Sequence, residues 1–269
     1  MSKGVLVFAF NNEQIDYIKQ AKDLAKRVKQ HLGLPTTVVT DIDIIDDDFD
    51  TVVKFDGNTH LSQKTYRNGS DSIKLNFKNC ARVFAYELSP YDETIILDSD
   101  FIICNNDFLK CFEQTKELLM YHNSFDLTGA REITNEFKWI SDTGPKFYWA
   151  TSVYFKKSKF TKMFFDLLEH IYENYTYYRV LYQLETRVYR NDFAFSIAVH
   201  ILNDFIDADI LGEFPGTKYY VTDRDTLLEL DNENLLFLSE KNTIVRTKEL
   251  NVHCMNKFSL DNLLWHKDI

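Results

Sequence analysis

Val5-Leu-Val-Phe-Ala-Phe10 is an unbroken apolar run closed by Asn11-Asn12. A run without alternation is what a strand buried on both faces needs, and such strands belong to parallel sheets covered by helices. Ile15, Ile18, Ala21, Leu24, Ala25, Val28 and Leu32 then recur every three or four residues, and Gly33 and Pro35 end the pattern as a helix stop. The β-prone stretch Thr36-Thr-Val-Val-Thr40 follows. Strand, helix and strand within about 35 residues make a βαβ unit, and with it an α/β sheet flanked by helices.

Further on, Ile73, Phe77, Ala81, Phe84 and Leu88 predict a helix from about Ser72 to Leu88, ending before Pro90. Thr94–Leu97, Leu127–Ala130 and Ala150–Phe155 read as strands, and Lys159–Asn174 and Asp192–Phe205 as helices. From Leu227 onward the patterning assigns no element. Eight glycines, four prolines and 15% aromatic residues in 269 exclude a disordered or linker-like chain. We expect one domain over 1–269.

The net charge is −10, and Asp41, Asp43, Asp46, Asp47, Asp48 and Asp50 concentrate much of it. That balance disfavours non-specific nucleic-acid binding, which needs cations to neutralise phosphate. Cys80, Cys104, Cys111 and Cys254 form no C-x-x-C pair, so reduced thiols are expected rather than a zinc or disulfide framework. The opening apolar run is too short for a signal sequence, and no stretch approaches the roughly 20 apolar residues of a membrane span. A cytoplasmic protein is the expectation.

In open α/β sheets ligands sit at the carboxyl ends of the strands. Asn11-Asn12, Asp41 and the pair Asp98/Asp100 each follow an apolar strand and should share one rim. Asp98-Ser99-Asp100 lies between two strongly apolar runs, and carboxylates at i and i+2 leave a strand on the same side. Two anions so close call for a cation, and a hard divalent ion such as Mg²⁺ or Mn²⁺ suits oxygen ligands and substrate phosphates. The alternative is that both merely cap the turn. Near the C-terminus His253 offers an imidazole and Lys257 an ammonium; a hydrogen-bonded structural histidine is the alternative there. Lys74, Lys78 and Arg82 would line one stripe of the second helix, either as a solvated face or as a basic edge toward the carboxylates.

These pieces resemble the GT-A-fold glycosyltransferases of the glycogenin, galactinol-synthase and lipopolysaccharide-galactosyltransferase type. The likeness rests on Val5–Asn12, on Arg82 leading through Tyr91–Leu97 into Asp98-Ser99-Asp100, and on His253 and Lys257 followed by Trp265. It covers residues 4–110 well and the rest loosely. The Lys257 segment lacks the Pro-Trp of the family, and its Asn-Ser/Ala-Gly segment appears only as Ala150-Thr-Ser-Val153.

The resemblance implies a metal-dependent transfer of a sugar from a nucleotide-diphosphate donor, with a UDP-sugar expected and the anomeric configuration retained. Asp98, Asp100 and His253 would hold Mn²⁺ or Mg²⁺. Arg82 and Lys257 would face the diphosphate, Phe8, Ala9, Phe10 and Asn11 the base, and Asp41 the base or ribose, with Lys78 and Ser99 also in the donor site; the alternatives are core packing for Phe8 and an acidic-loop role for Asp41. The resemblance also divides the domain into a nucleotide-binding half (1–110) and an acceptor- and sugar-binding half (111–269) that ends in a metal-ligand segment. Asp192 is expected near the donor sugar or acceptor and is grouped with Arg82 and Lys257 as catalytic; its alternative role is to complement a helix dipole. Gly129-Ala-Arg131 and the aromatics Tyr148 and Trp149 are further candidates for a sugar pocket. A glycan is the default acceptor and a modified DNA base a second one. Two other readings stay open: a haloacid-dehalogenase-like phosphatase with Asp98 as nucleophile, and a non-catalytic GT-A-like binding module. A sugar nucleotidyltransferase is disfavoured because Phe8–Asn12 contains no phosphate-loop glycine.

Overall fold

The computed structural model describes residues 1–57, 62–68, 71–78, 80–129, 138–142, 144–206 and 210–267. Strand β1 (Lys3–Phe8) buries Val5, Leu6 and Val7 completely, at roughly 1.5–3 kcal/mol per fully buried large apolar side chain. Helix α1 (Tyr17–Arg27) starts at Asp16, whose carboxylate accepts from the Lys19 N–H at 3.0 Å. It buries Ile18, Ala21, Leu24 and Ala25. A π-turn over Val28–Leu32 continues it, and Gly33 at φ 63° ends it in the left-handed region that glycine adopts without strain.

β2 (Thr36–Thr40) and β3 (Thr51–Lys54) add to the sheet. β4 (Ser62–Asn68) and β5 (Asp71–Phe77) then pair with each other as a separate antiparallel ribbon. A 3-10 segment over Cys80–Phe84 runs into the short α2 (Ala85–Leu88). The helix expected over Ser72–Leu88 is therefore corrected: only its second half is helical. Ile73, Leu75 and Phe77 also alternate with Ser72, Lys74 and Asn76, and this period of two prevails because pairing with β4 buries Tyr66 and Leu75 against Ile15.

β6 (Glu93–Asp98) lies next to β1 in parallel, and β7 (Phe101–Ile102) leaves the sheet just after it. β8 (Leu118–Tyr121), β9 (Phe125–Asp126), β10 (Trp149–Lys156), α3 (Lys159–Glu173), α4 (Tyr175–Leu181), α5 (Asn191–Leu202) and β11 (Gly212–Glu213) follow. The strand expected over Leu127–Ala130 is also corrected. The strand is β9, and residues 127–129 turn away from it, with Asp126 accepting from the Thr128 N–H at 2.9 Å. The main sheet runs β11-β8-β10-β6-β1-β2-β3. Only the β6–β10 and β10–β8 pairs are antiparallel, so this is a mixed, mostly parallel sheet. Helices flank it, as expected of a GT-A Rossmann-like arrangement.

The C-terminal stretch holds β12 (Tyr219–Val221), the meander β13 (Thr226–Leu230), β14 (Asn234–Leu238) and β15 (Ile244–Lys248), then β16 (Val252–Cys254) and α6 (Lys257–Lys267). β7, β16, β12 and β9 form a second sheet over a smaller apolar cluster that includes Ile102, Val221, Leu235, Phe237 and Val252. All four cysteines are buried, and none is in a disulfide. Among the described residues no helix is long and apolar enough to cross a membrane.

Candidate metal and phosphate site

β1, β2 and β6 are adjacent and parallel, so their carboxyl ends share one rim. Asp98 is the last residue of β6, and Asp100 sits in the turn before β7. β7 pairs antiparallel with β16, and His253 stands directly opposite Phe101 in that register. The backbone fixes the juxtaposition further: the Cys254 N–H donates to the Asp100 carbonyl at 3.0 Å. The His253 ring stacks on Phe101 at a centroid distance of 5.4 Å, with the Trp149 ring edge-on at 6.2 Å.

His253 Nε2 lies 3.4 Å from Asp100 Oδ1 and 3.8 Å from Asp98 Oδ2. One ligand atom from each of Asp98, Asp100 and His253 falls within a 4.8 Å cluster. Among the described residues both ring nitrogens of His253 are buried without a partner in good hydrogen-bond geometry, Nε2 having only the looser approach to the two carboxylates. A buried imidazole so poorly satisfied beside two carboxylates is costly as it stands. The donor set, one nitrogen and two hard oxygens, fits a divalent ion such as Mn²⁺ or Mg²⁺.

Two cations flank the acids. Arg82, in the 3-10 segment, pairs with Asp98 and donates to the Ala150 carbonyl at 2.6 Å. Lys257, the first residue of α6, pairs with Asp100. Burial alone would raise the Asp100 pKa, but the Lys257 ammonium and His253 outweigh it and hold the carboxyl well below the usual carboxylate range. Burial also dominates His253, lowering its pKa despite Asp100, so the ring is neutral near pH 7 and able to ligate. Lys257 goes the other way: burial would lower its pKa, and Asp100 raises it instead.

These groups open into a cleft of about 850 Å³, within the range of small-molecule sites. Phe8, Phe10, Lys78, Arg82, Asp98, Ser99, Asp100, Asp192, His253 and Lys257 all line it. Asp192 lies in the first turn of α5 and accepts from the Ala150 N–H at 3.0 Å and from Arg190 at 3.1 Å. It is thus tied through Ala150 to the same backbone that holds Arg82.

Three expected nucleoside contacts are not among the residues that line the cleft. Ala9 is fully buried. Asn11 serves the start of α1, accepting from the Ile18 N–H at 3.0 Å and donating to Asp16 at 2.9 Å. Asp41 pairs with Lys78. Lys78 reaches the cleft from just beyond β5, not from a helical stripe. Trp149 lines the cleft but is 2% exposed, with its ring packed against Phe147, Tyr220 and His253. Tyr148 is half-buried against His122. Ala130 and Arg131 lie outside the described residues.

Sequence reasoning missed Lys218. It is buried just before β12, donates to the Thr151 hydroxyl at 2.7 Å, and lies 4.7 Å from the ring centres of both Phe101 and Trp149. Burial pushes its pKa down to about 7, against the pull of Asp98, Asp192 and Asp100. Nothing in Gly216-Thr-Lys218-Tyr marks that lysine as internal.

No protein-family profile and no curated protein matches the chain. Among solved structures it is similar to the glycosyltransferase GlyE of Streptococcus pneumoniae, at 16% identity and a TM-score of 0.43, over 79% of this chain and 45% of that one. It is also similar to the galactosyltransferase LgtC, solved with donor and acceptor sugar analogues, at 12% identity and a TM-score of 0.41 over 81% and 73%. A third is the bifunctional glycosyltransferase WbbM, at 13% identity and a TM-score of 0.39 over 63% and 34%. This chain therefore spans less than half the length of GlyE.

Proposed function

We propose that the chain is a metal-dependent glycosyltransferase that moves a sugar from a nucleoside-diphosphate donor, with UDP the expected nucleotide. The supporting observation is the convergence of Asp98, Asp100 and His253 with Arg82 and Lys257 on the carboxyl rim of a parallel sheet. Asp98, Asp100 and His253 would hold the ion. When bound, it would neutralise the charge that grows on the diphosphate as the leaving group departs.

The chain's own residues do the rest. Arg82 fixes the Asp98 carboxylate by its ion pair and is anchored through Ala150, so the acid is pre-oriented. Lys257 neutralises Asp100 in the structure as it stands. In this reading the Lys257 ammonium would also offer a donor to a phosphate oxygen of the bound diphosphate. The bond between the sugar C1 and the phosphate oxygen breaks, with its electron pair leaving on the diphosphate. The new bond forms from C1 to an acceptor hydroxyl oxygen, and the proton of that hydroxyl passes to the departing diphosphate. Asp192, which also lines the cleft, faces the donor sugar or the acceptor in this reading, and retention is the expected stereochemical outcome. Phe8 and Phe10 at the end of β1 offer apolar surface to the base.

Calorimetry tests this directly. UDP should bind with Mn²⁺ or Mg²⁺ and not in the presence of chelator, and Asp100→Ala should abolish the metal-dependent part. A screen of nucleotide sugars for slow hydrolysis would name the donor. Metal-independent indifference to UDP, or hydrolysis of a simple phosphomonoester that Asp98→Asn abolishes, would overturn the reading.

A further inference from the structure

Among the described residues the ribbon β4–β5 is hydrogen-bonded to no other strand, yet it forms one wall of the cleft. It is held in place by side chains: Tyr66 and Leu75 bury with Ile15, and the Tyr66 hydroxyl bonds that of Tyr17 at 2.9 Å. Tyr66 also meets Phe258 of α6 edge-on at 6.4 Å. The ribbon is therefore clamped to the helix that carries Lys257, and its position is tied to the phosphate end of the cleft.

The basic residues lining the cleft fall into two groups. Lys78, Arg82, Arg190, Arg224 and Lys257 each pair with a carboxylate. Lys64 and Arg67, both on β4, line the cleft with no carboxylate within ion-pair distance among the described residues. Lys64 is exposed by area, but its ammonium stands 5.4 Å and 5.9 Å from the ring centres of Tyr66 and Phe77. Enclosure, together with the like charges of Lys257 and Arg190, pushes its pKa down to about 8. A lysine that lines a cleft shared with Lys257 and Arg190, and that has no carboxylate in ion-pair range among the described residues, suits an anion bound there.

We propose that the β4–β5 ribbon is a third wall of the phosphate site, and that Lys64 is a further donor-binding residue whose ammonium contacts the pyrophosphate opposite Lys257. This rests on the nucleotide-diphosphate reading above but adds a residue that neither the acid pair nor the C-terminal His–Lys segment would identify. The contact is one of charge, so arginine should replace lysine and a neutral side chain of similar length should not.

The test is calorimetric titration of inorganic pyrophosphate and, separately, of UDP, each with Mn²⁺, into the full chain. The proteins compared are wild type, Lys64→Met, Lys64→Arg and Lys74→Met. Lys74 sits on the same ribbon, is exposed and does not line the cleft, so it controls for a change in overall charge. Lys64→Met should weaken both ligands about tenfold, while Lys64→Arg stays within about threefold and Lys74→Met matches wild type. Equal pyrophosphate affinity in wild type and Lys64→Met would overturn the proposal, and tight metal-dependent UDP binding in the same titrations would leave the transferase reading standing. Loss of affinity in Lys74→Met equal to that in Lys64→Met would also overturn it, since the effect would then be one of net charge. Failure of wild type to bind either ligand would overturn both readings.

Discussion

The Lys218 ammonium is 2% exposed and hemmed by the faces of Phe101 and Trp149, with the Thr151 hydroxyl as acceptor. Ring faces favour the charged form and offset part of the burial, but burial prevails and the pKa falls to about 7 from 10.5. The unfolded chain keeps its proton up to about 10.5, whereas the folded chain releases it near 7. Stability therefore rises with pH between those two values, because there the unfolded state binds more protons. Lys218→Met removes that dependence. Denaturant midpoints measured from pH 6 to 10 should show wild type gaining on Lys218→Met as pH increases; parallel curves would mean that the buried ammonium carries no penalty. His253 obeys the same sign. Its pKa lies below 6.5 in the fold, so the stability that goes with its neutral ring is lost as pH falls from above 6.5 through the folded value.

At the level of elements, α1 illustrates a boundary set by one backbone angle. Gly33 sits at φ 63°, and a Cβ there would meet nothing within 4 Å. The cost of Gly33→Ala is therefore conformational rather than steric, about 1 kcal/mol. Gly33→Asn should cost less, because asparagine visits the left-handed region more readily. Urea denaturation of the two variants checks the order, and an alanine variant as stable as wild type would show that the helix end can rearrange. The β4–β5 ribbon teaches a different lesson. Ile73 and Phe77 fit both a helical and an alternating template, so the stretch 71–77 alone does not decide between them. The discriminating signal was Asn68-Gly69, a hairpin-type dipeptide between two β-prone runs, together with the partner run Ser62–Asn68. Reading that pair together would have placed Lys64 on a strand.

Across the whole molecule, the site joins distant parts of the chain. Lys257 and Asp100 lie 157 residues apart in sequence, and His253 is brought in by β16 pairing with β7. α6 is anchored back on α1, where Gln20 donates to Asp261 at 2.6 Å and Asp261 accepts from the Asp16 N–H at 2.9 Å. Burial raises the Asp261 pKa to about 6, so this clasp has its carboxyl protonated as pH falls through that value. An ion held by Asp98, Asp100 and His253 would bridge both sheets and should stabilise the fold as a unit. At a hundredfold excess over Kd, Mn²⁺ with UDP should add about 2.7 kcal/mol, seen as a rise of roughly 5 °C or more in the thermal midpoint. Chelator should reverse the shift, and Asp100→Ala should show none. An unchanged midpoint in wild type would count against the site.

Local sequence was enough for what repeats along the chain. The apolar run of β1, the spacing of α1, the β-branched β2 and the strand ending in Asp98 follow from periodicity, because burial on a parallel sheet imposes a pattern within a few residues. The two acids and the late histidine were visible as residue types, and the family resemblance set them beside Arg82 and Lys257. Tertiary structure alone decided which atoms meet. The β7–β16 register puts His253 opposite Phe101, the ribbon carries Lys64 over the cleft, and Lys218 is sealed beneath aromatic rings. None of these is periodic. Each depends on contacts between segments far apart in the chain, whose entropy of closure is repaid only when the whole core forms.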